Sequence, residues 1–184
     1  MDKKIKDDLH ELLFGVRRSI RYHVKRQQFF DRLNGLTSFF NVIFGSAAVV
    51  ALIKTNIEYV GVPAAALVTV LSSIDLVVGY SRKARVHERL ACKFIDLDKE
   101  IISRNNIDLT ESELAKFSAE RLDIEADEPP VKVVLDSICH NEMCRAEGYK
   151  DPKEYVKLTR IQKWVAQFWD LGEDKIVKPG YPKL

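Results

Sequence analysis

Twenty-one uncharged residues separate Arg32 from Lys54, and they read LNGLTSFFNVIFGSAAVVALI (33–53). As a helix this run rises about 31 Å at roughly 1.5 Å per residue, which matches a bilayer hydrocarbon core of about 30 Å. A second run, YVGVPAAALVTVLSSIDLVVGYS (59–81), contains one charge, Asp75. The five residues between the runs suit a tight turn. The sequence therefore predicts a two-helix transmembrane hairpin.

The average composition hides this hairpin. The 184 residues carry a net charge of +2 and are 46% hydrophobic and 30% charged, as in an ordinary soluble domain. Residues 33–81, however, contain only three charges: Lys54, Glu58 and Asp75. The alternative, a hairpin buried in a soluble bundle, is disfavoured because soluble helices normally keep a charged face. The small net charge also argues against direct nucleic-acid binding.

Basic residues flank the two runs, and the predicted loop between them offers only Lys54. Since Lys and Arg are retained on the cytoplasmic side of a membrane, we expect both termini in the cytoplasm. We call the flanking residues the basic collar, which we expect to lie at the inner membrane face and to attract anionic lipid. An anion or nucleotide site is the alternative role. Its members are Arg17, Arg18, Arg21, Lys25, Arg26, Arg32, Arg82, Lys83, Arg85 and Arg89.

Each apolar run has one face of small or polar residues at helical spacing. Lipid supplies no hydrophobic drive between helices, so close approach at small residues and interhelical hydrogen bonds must hold them together. Such faces pack within one hairpin, contact neighbouring copies or line a water path. The predicted packing positions are Ser38, Gly45, Ala48, Gly61, Ala65 and Gly79, and the predicted polar positions are Asn41, Ser72 and Asp75.

Asp75 lies seven residues before Arg82, about 10 Å inside it along a helix. A carboxylate near the middle of a membrane costs on the order of 2.5–3.5 kcal/mol and less towards the edge. Asn41 lies at a similar depth on the other helix, and we expect its amide to donate to Asp75. Two roles remain open: Asp75 lines a cation-accessible path or an assembly contact, or it simply reaches the inner interface.

The remainder of the chain is predicted to be helical, which makes the fold class all-α with a cytoplasmic helical stalk and bundle. We expect an amphipathic helix over 3–33 that runs into the first span, and a stalk helix from Tyr80 to Arg104. Thr110 and Glu113 form a capping-box pattern that opens a short helix to about Leu122. The predicted segments are 1–33, 34–81, 82–128 and 129–184.

Two further helices are expected after the break at Pro129-Pro130. One extends from Val131 to about Glu147, and Gly148 closes it. The last opens at Asp151-Pro152 and ends before Gly172. The tail, 173–184, is expected to be loosely held.

Cys139, His140, Glu142 and Cys144 are the residues that most resemble a metal site. The two cysteines are five positions apart, about 140° around a helix, and so cannot share one ion from one helix. We expect core thiols and a capping or interface histidine instead. With no phosphate-binding glycine loop and no nucleophile triad in a suitable context, we expect neither an enzyme nor a cofactor nor a metal.

This layout resembles the SLATT family, the SMODS- and SLOG-associating two-transmembrane effectors of bacterial conflict systems. The resemblance is carried by the basic residues of 17–32, Ser72-Ser73-Ile74-Asp75, Arg82-Lys83-Ala84-Arg85, and His140-Asn141-Glu142 ahead of Trp164 and Trp169. It implies an inner-membrane effector encoded beside a nucleotide-signal synthase, a sensor or a reverse transcriptase. Such effectors are thought to permeabilise the membrane and halt a phage-infected cell.

The resulting hypothesis is a pore-type effector that acts as a homo-oligomer, because two spans per copy cannot enclose a pore. The stalk helices would couple a cytoplasmic signal to the spans. A membrane-anchored oligomeric scaffold that conducts nothing and a small constitutive ion channel are the alternatives.

Overall fold

The structure, a computed structural model, describes residues 3–53, 58–105 and 109–176. Every secondary-structure element in that part of the chain is an α-helix or a 3-10 helix, which confirms the predicted all-α class. Residues 54–57 of the predicted loop 54–58, Asn106 of the predicted stalk end Asn105-Asn106, and the tail after 176 lie outside the described residues. The helices are α1 (Lys3–Ile53), α2 (Glu58–Val78), α3 (Tyr80–Asn105), α4 (Glu111–Ala126), α5 (Val133–Ala146) and α6 (Arg160–Val165), with 3-10 turns at Pro152–Glu154 and Glu173–Lys175.

The chain divides into two compact units. The hairpin unit consists of 26–86, and the bundle unit consists of the described residues within 1–25 and 87–184. α1 and α3 contribute residues to both units. α1 is one uninterrupted helix, as predicted, and neither Gly15 nor Gly35 breaks it.

A single residue, Gly79, separates α2 from α3, so the second span and the stalk are not one continuous helix. Its φ of +62° lies in the left-handed region, which costs a residue with a Cβ roughly 1–2 kcal/mol. Gly79 N still donates to the Asp75 carbonyl at 2.8 Å, and Lys83 N donates to the Gly79 carbonyl at 3.0 Å. The predicted packing position is therefore a turn position.

The core of the bundle unit joins α1 to α5 and α6. One buried cluster comprises Tyr22, Val134, Leu135, Cys139 and Ala166, and a second comprises Phe14, Met143 and Cys144. The predicted apolar stripe of α3 is also buried, as Phe94, Leu97 and Ile101 show. Each large side chain withdrawn from water in this way stabilises the fold by about 1.5–3 kcal/mol.

α4 begins as predicted, with Thr110 as its N-cap. Glu113 N donates to Thr110 Oγ1 at 3.3 Å, and Thr110 N donates to the Glu113 carboxylate at 3.1 Å, which completes the capping box. These hydrogen bonds hold the pKa of Glu113 below its ordinary value. The helix continues to Ala126, four residues past the predicted end.

α5 has no side-chain cap of its own, and distant residues satisfy its first N–H groups. Lys132 N donates to Tyr22 Oη at 2.9 Å, and Val134 N donates to Asp170 Oδ1 at 3.0 Å. These bonds tie the start of α5 to α1 on one side and to the segment after α6 on the other.

The prediction of one long final helix from Asp151 is wrong. Asp151 caps only the 3-10 turn Pro152–Glu154. Both backbone groups of Val156 are then bound by the Asn141 side chain, each at 2.8 Å, which prevents helical pairing there. A second capping box, between Thr159 and Gln162, opens the six-residue α6.

Candidate functional site

The partly buried stripe of the hairpin unit contains most of the predicted small and polar positions. On α1 it includes Asn41, Gly45 and Ala48, and on α2 it includes Gly61 and Asp75. Ser38, Ala65 and Ser72 are instead exposed. The sheltered residues next to Ala65 and Ser72 are Ala64, which is fully buried, and Leu71.

The sheltered stripe of α2 agrees with the predicted face at Gly61 and Asp75. It differs at Ala65 and Ser72, where the preceding residue, about 100° around the helix, is sheltered instead. Ser38, Ala65 and Ser72 consequently lie on outward surfaces of the single hairpin.

Asn41 has a buried side-chain oxygen, Oδ1, without a hydrogen-bond partner among the described residues. The expected hydrogen bond between Asn41 and Asp75 does not occur within this part of the structure. An unsatisfied amide oxygen in hydrocarbon costs several kcal/mol unless water or another chain reaches it. Asn41 is thus the polar group of the hairpin with the clearest need for an external donor.

Several hydroxyls in the hairpin are satisfied within their own helix. The donors Thr37, Ser46, Thr69 and Ser73 each bond the carbonyl four residues earlier, at 2.7–3.0 Å. Such back-bonding lets a hydroxyl face lipid without a further partner. Hydroxyl content alone is therefore a poor guide to a water path.

Much of the predicted basic collar is neutralised inside the bundle unit. Arg17 Nε lies 3.1 Å from Asp98, Arg18 Nε lies 3.2 Å from Asp136, and Lys25 Nζ lies 3.0 Å from Glu142. Arg21 Nε donates to the Met143 sulfur at 3.0 Å. Arg17, Arg18 and Lys25 therefore link α1 to carboxylates of α3 and α5.

The remaining collar residues belong to the hairpin unit, except for Arg89, which lies on α3 in the bundle unit. Arg26 is buried, with its guanidinium 4.5 Å from the Phe30 ring centre, and Lys83 Nζ lies 5.7 Å from the same ring. Arg32, Arg82, Arg85 and Arg89 are exposed. Fewer than the ten predicted basic residues are therefore available to contact anionic lipid.

A buried histidine pair was missed by the sequence analysis. His23 Nδ1 lies 2.9 Å from His87 Nδ1, and His23 Nε2 lies 3.0 Å from the Glu128 carboxylate. Each of these two contacts needs one donor and one acceptor, so the directions of the hydrogen bonds are set by the tautomers of the two rings. The two histidines are 64 positions apart, so the sequence has no local signal for this contact.

The two cysteines near His140 are core thiols, as predicted. Burial raises the pKa of Cys139 to about 12 and that of Cys144 to about 11, so both remain protonated at neutral pH. His140 Nε2 lies 2.9 Å from the Glu154 carbonyl. Within the described residues, no group of three or more His, Cys, Asp or Glu side chains is arranged to hold a metal ion.

The described residues contain two helices that are long and apolar enough to cross a membrane, by length and composition. Only 6% of the most apolar 18-residue stretch of each is buried within this chain. Comparison with protein-family models, curated proteins and solved structures gives no match.

Proposed function

We propose that this chain is an integral membrane protein whose hairpin spans a bilayer, and that its oligomer permeabilises that membrane. The observation that carries the proposal is the 6% burial of both apolar stretches. A core helix of a soluble protein is mostly buried, whereas these helices leave their apolar side chains uncovered. Lipid is the solvent that suits such a surface.

The size of the uncovered side chains supports this assignment. Val42, Val62, Leu76 and Val77 are all at least two-thirds exposed. Contiguous apolar surface of this kind is rare on soluble monomers. The basic residues that remain exposed near the hairpin ends, Arg32, Arg82 and Arg85, favour an orientation with both termini in the cytoplasm.

Assembly of several copies follows from the polar groups of the hairpin. Two helices cannot enclose a path, and the buried Asn41 Oδ1 lacks a donor among the described residues. A neighbouring copy or water along a central path would supply one. The outward positions of Ser38, Ala65 and Ser72 would allow close approach between copies.

The resemblance to SLATT effectors supports a bacterial inner membrane, a role in anti-phage defence and an activating partner. It rests on the layout and the residues quoted for it. Under this proposal the bundle unit receives the signal from a sensor, a nucleotide-signal synthase or a reverse transcriptase, and the hairpin unit responds.

Potassium loss and dye uptake, measured on induced expression in a bacterium, test the proposal. The assay is run with and without the genomic neighbour, and the oligomer mass is measured in detergent. We expect leakage that requires the trigger and a mass of several copies. Leakage without any trigger would favour a constitutive channel, and a large oligomer without leakage would favour a scaffold.

Variants at Asn41 and Asp75 refine this experiment. Asn41→Leu and Asp75→Asn are expected to reduce leakage or oligomer size, because the first removes the buried unsatisfied amide oxygen and the second removes the negative charge of the span. Thr37→Val is the matched control, one turn before Asn41, since its hydroxyl already bonds the Leu33 carbonyl. Full activity and full oligomer size in both test variants would remove these residues from the mechanism.

A further inference from the structure

The segment 161–171 exposes five large apolar side chains in the bundle unit, which we call the aromatic segment. Trp164 is 87% exposed and Trp169 is 67% exposed, with Phe168 at half exposure. Ile161 and Leu171 complete the set. Contiguous exposure of this kind, with two tryptophans, marks a surface that contacts something other than water.

The aromatic segment is held in a fixed shape. The Thr159–Gln162 capping box starts α6, and Gln162 Nε2 donates to the Leu171 carbonyl at 2.9 Å, which closes the segment on itself. Gly172 then turns with a φ of +65°. The tryptophans are therefore presented on a preformed loop, so binding costs little ordering entropy.

The inner side of the segment is anchored at one end of the bundle unit. Ala166 packs with Tyr22 and Val134, and Asp170 accepts a hydrogen bond from Val134 N. Within the bundle unit α1 ends at Lys25, three residues after Tyr22, and α3 begins at His87. The ring centres of Tyr22 and His87 are 6.3 Å apart. The aromatic segment thus lies at the end of the bundle unit where α1 and α3 leave it.

The charges on the Trp164 side of the segment favour an anionic partner. Lys157, Arg160 and Lys163 are exposed there. Asp170 accepts the hydrogen bond from α5, and the exposed acids Glu173 and Asp174 lie beyond the turn at Gly172. Tryptophan flanked by Lys and Arg is the composition that prefers a membrane–water interface, where the ring meets the acyl boundary and the cation meets a phosphate.

We propose that the aromatic segment is a membrane-interface anchor that seats Trp164, Phe168 and Trp169 among the headgroups of an anionic leaflet. This inference rests on the proposed insertion of the hairpin: α1 and α3 connect to the hairpin unit directly after Lys25 and before His87, so the chain segments nearest the inserted hairpin belong to this end of the bundle unit. The anchor would fix the bundle unit against the inner face.

Intrinsic fluorescence tests the anchor directly, because Trp164 and Trp169 are the only two tryptophans of the chain. The full-length protein is reconstituted in vesicles of phosphatidylcholine and phosphatidylglycerol, with or without bromine atoms near the headgroup end of the acyl chains. We expect brominated lipid to reduce emission at least about twofold and aqueous iodide to have little effect. Emission unchanged by brominated lipid would overturn the proposal, and protection from both quenchers would indicate a second copy as the partner.

A relocated tryptophan provides the control. Ile102 is 45% exposed on α3, fifteen residues past His87, about 22 Å further along the helix. In a Trp164→Phe/Trp169→Phe background, Ile102→Trp is expected to be quenched by iodide and not by brominated lipid. Equal lipid quenching at both places would overturn a specific anchor.

Vesicle flotation separates this inference from the proposed function. A chain that fails to float with vesicles contradicts hairpin insertion and the anchor together. A chain that floats without lipid quenching contradicts the anchor alone. Arg160→Gln/Lys163→Gln is expected to weaken the dependence of quenching on phosphatidylglycerol, whereas Lys116→Gln, an exposed lysine on α4, should leave it unchanged.

Discussion

The bundle unit pairs charges between its helices, whereas the hairpin unit leaves its large apolar side chains uncovered. In the bundle unit the buried Asp136 lies 3.2 Å from Arg18, and His23 reaches Glu128 at 3.0 Å. In the hairpin unit Asn41 Oδ1 is buried without a partner among the described residues, and the apolar side chains face outward. The difference favours different surroundings for the two units: water suits the paired charges of the bundle unit, and the uncovered apolar surface of the hairpin unit fits the lipid of the proposed membrane.

We expect the largest difference between the two units from a cavity-forming substitution, which should destabilise the protein strongly in the bundle core and little in the hairpin unit. Phe14→Ala removes a side chain that is 1% exposed, and we expect a loss of about 3–5 kcal/mol in the unfolding free energy. Urea unfolding of the full chain in detergent, followed by tryptophan fluorescence, measures it. Leu76→Ala, at 85% exposure in the hairpin unit, should change the value by less than about 0.5 kcal/mol. Similar losses in both variants would contradict the contrast.

Removal of one partner from a sheltered ion pair should have the next largest effect. Arg18→Gln leaves Asp136 without its cation, and we expect a loss of about 3 kcal/mol. Lys4→Gln is the control, because Lys4 and its partner Glu111 are each about 70% exposed, and such pairs contribute less than about 1 kcal/mol. Equal effects in the same unfolding assay would mean that the Arg18 pair is no better than a surface pair.

The raised pKa of Cys139, about 12, predicts a pH dependence confined to the bundle unit. The Cys139 thiol ionises near pH 9 in the unfolded chain but stays protonated up to about pH 12 in the folded one. Its contribution to the free energy of unfolding is therefore complete below pH 9 and is lost between pH 9 and about pH 12. The expected slope is about 1.4 kcal/mol per pH unit above pH 9. Cys139→Ala should flatten the decrease, as measured by unfolding at about pH 9, 10 and 11. An unchanged slope in that variant would assign the dependence to other groups.

The smallest expected effect is at the turn between α2 and α3. Gly79→Ala forces a Cβ into a φ of +62°, which costs about 1–2 kcal/mol. Gly45→Ala is the matched control within α1, where a new Cβ meets nothing within 4 Å and helix propensity favours alanine by about 1 kcal/mol. Circular dichroism during titration with a denaturing detergent compares them. A gain at both positions would show that the turn is not required.

The sequence predicted those features whose causes are local. The Thr110–Glu113 capping box, the break at Pro129-Pro130 and the apolar periodicity of α3 each depend on neighbours within four residues, and the structure confirms them. The SLATT resemblance and the roles of Asn41 and Asp75 stay predictions.

The features that were missed depend on distant partners. The final helix fails because Asn141 binds the backbone of Val156, and the start of α5 is set by Tyr22 and Asp170. The pairing of Arg17 and Arg18 with carboxylates of α3 and α5 likewise removes them from the predicted basic collar. Such contacts require the tertiary arrangement, which periodicity and capping rules do not contain.

Topology is the central claim, and cysteine labelling tests it most directly. In a background of Cys92→Ser, Cys139→Ala and Cys144→Ala, single cysteines are introduced as Asn56→Cys, in the predicted loop, or Ser103→Cys, exposed on α3. A membrane-impermeant maleimide is applied to intact cells or spheroplasts before and after permeabilisation. We predict that the Asn56→Cys variant is labelled from outside and the Ser103→Cys variant only after permeabilisation. Labelling of both variants only after permeabilisation would contradict a hairpin that spans the membrane.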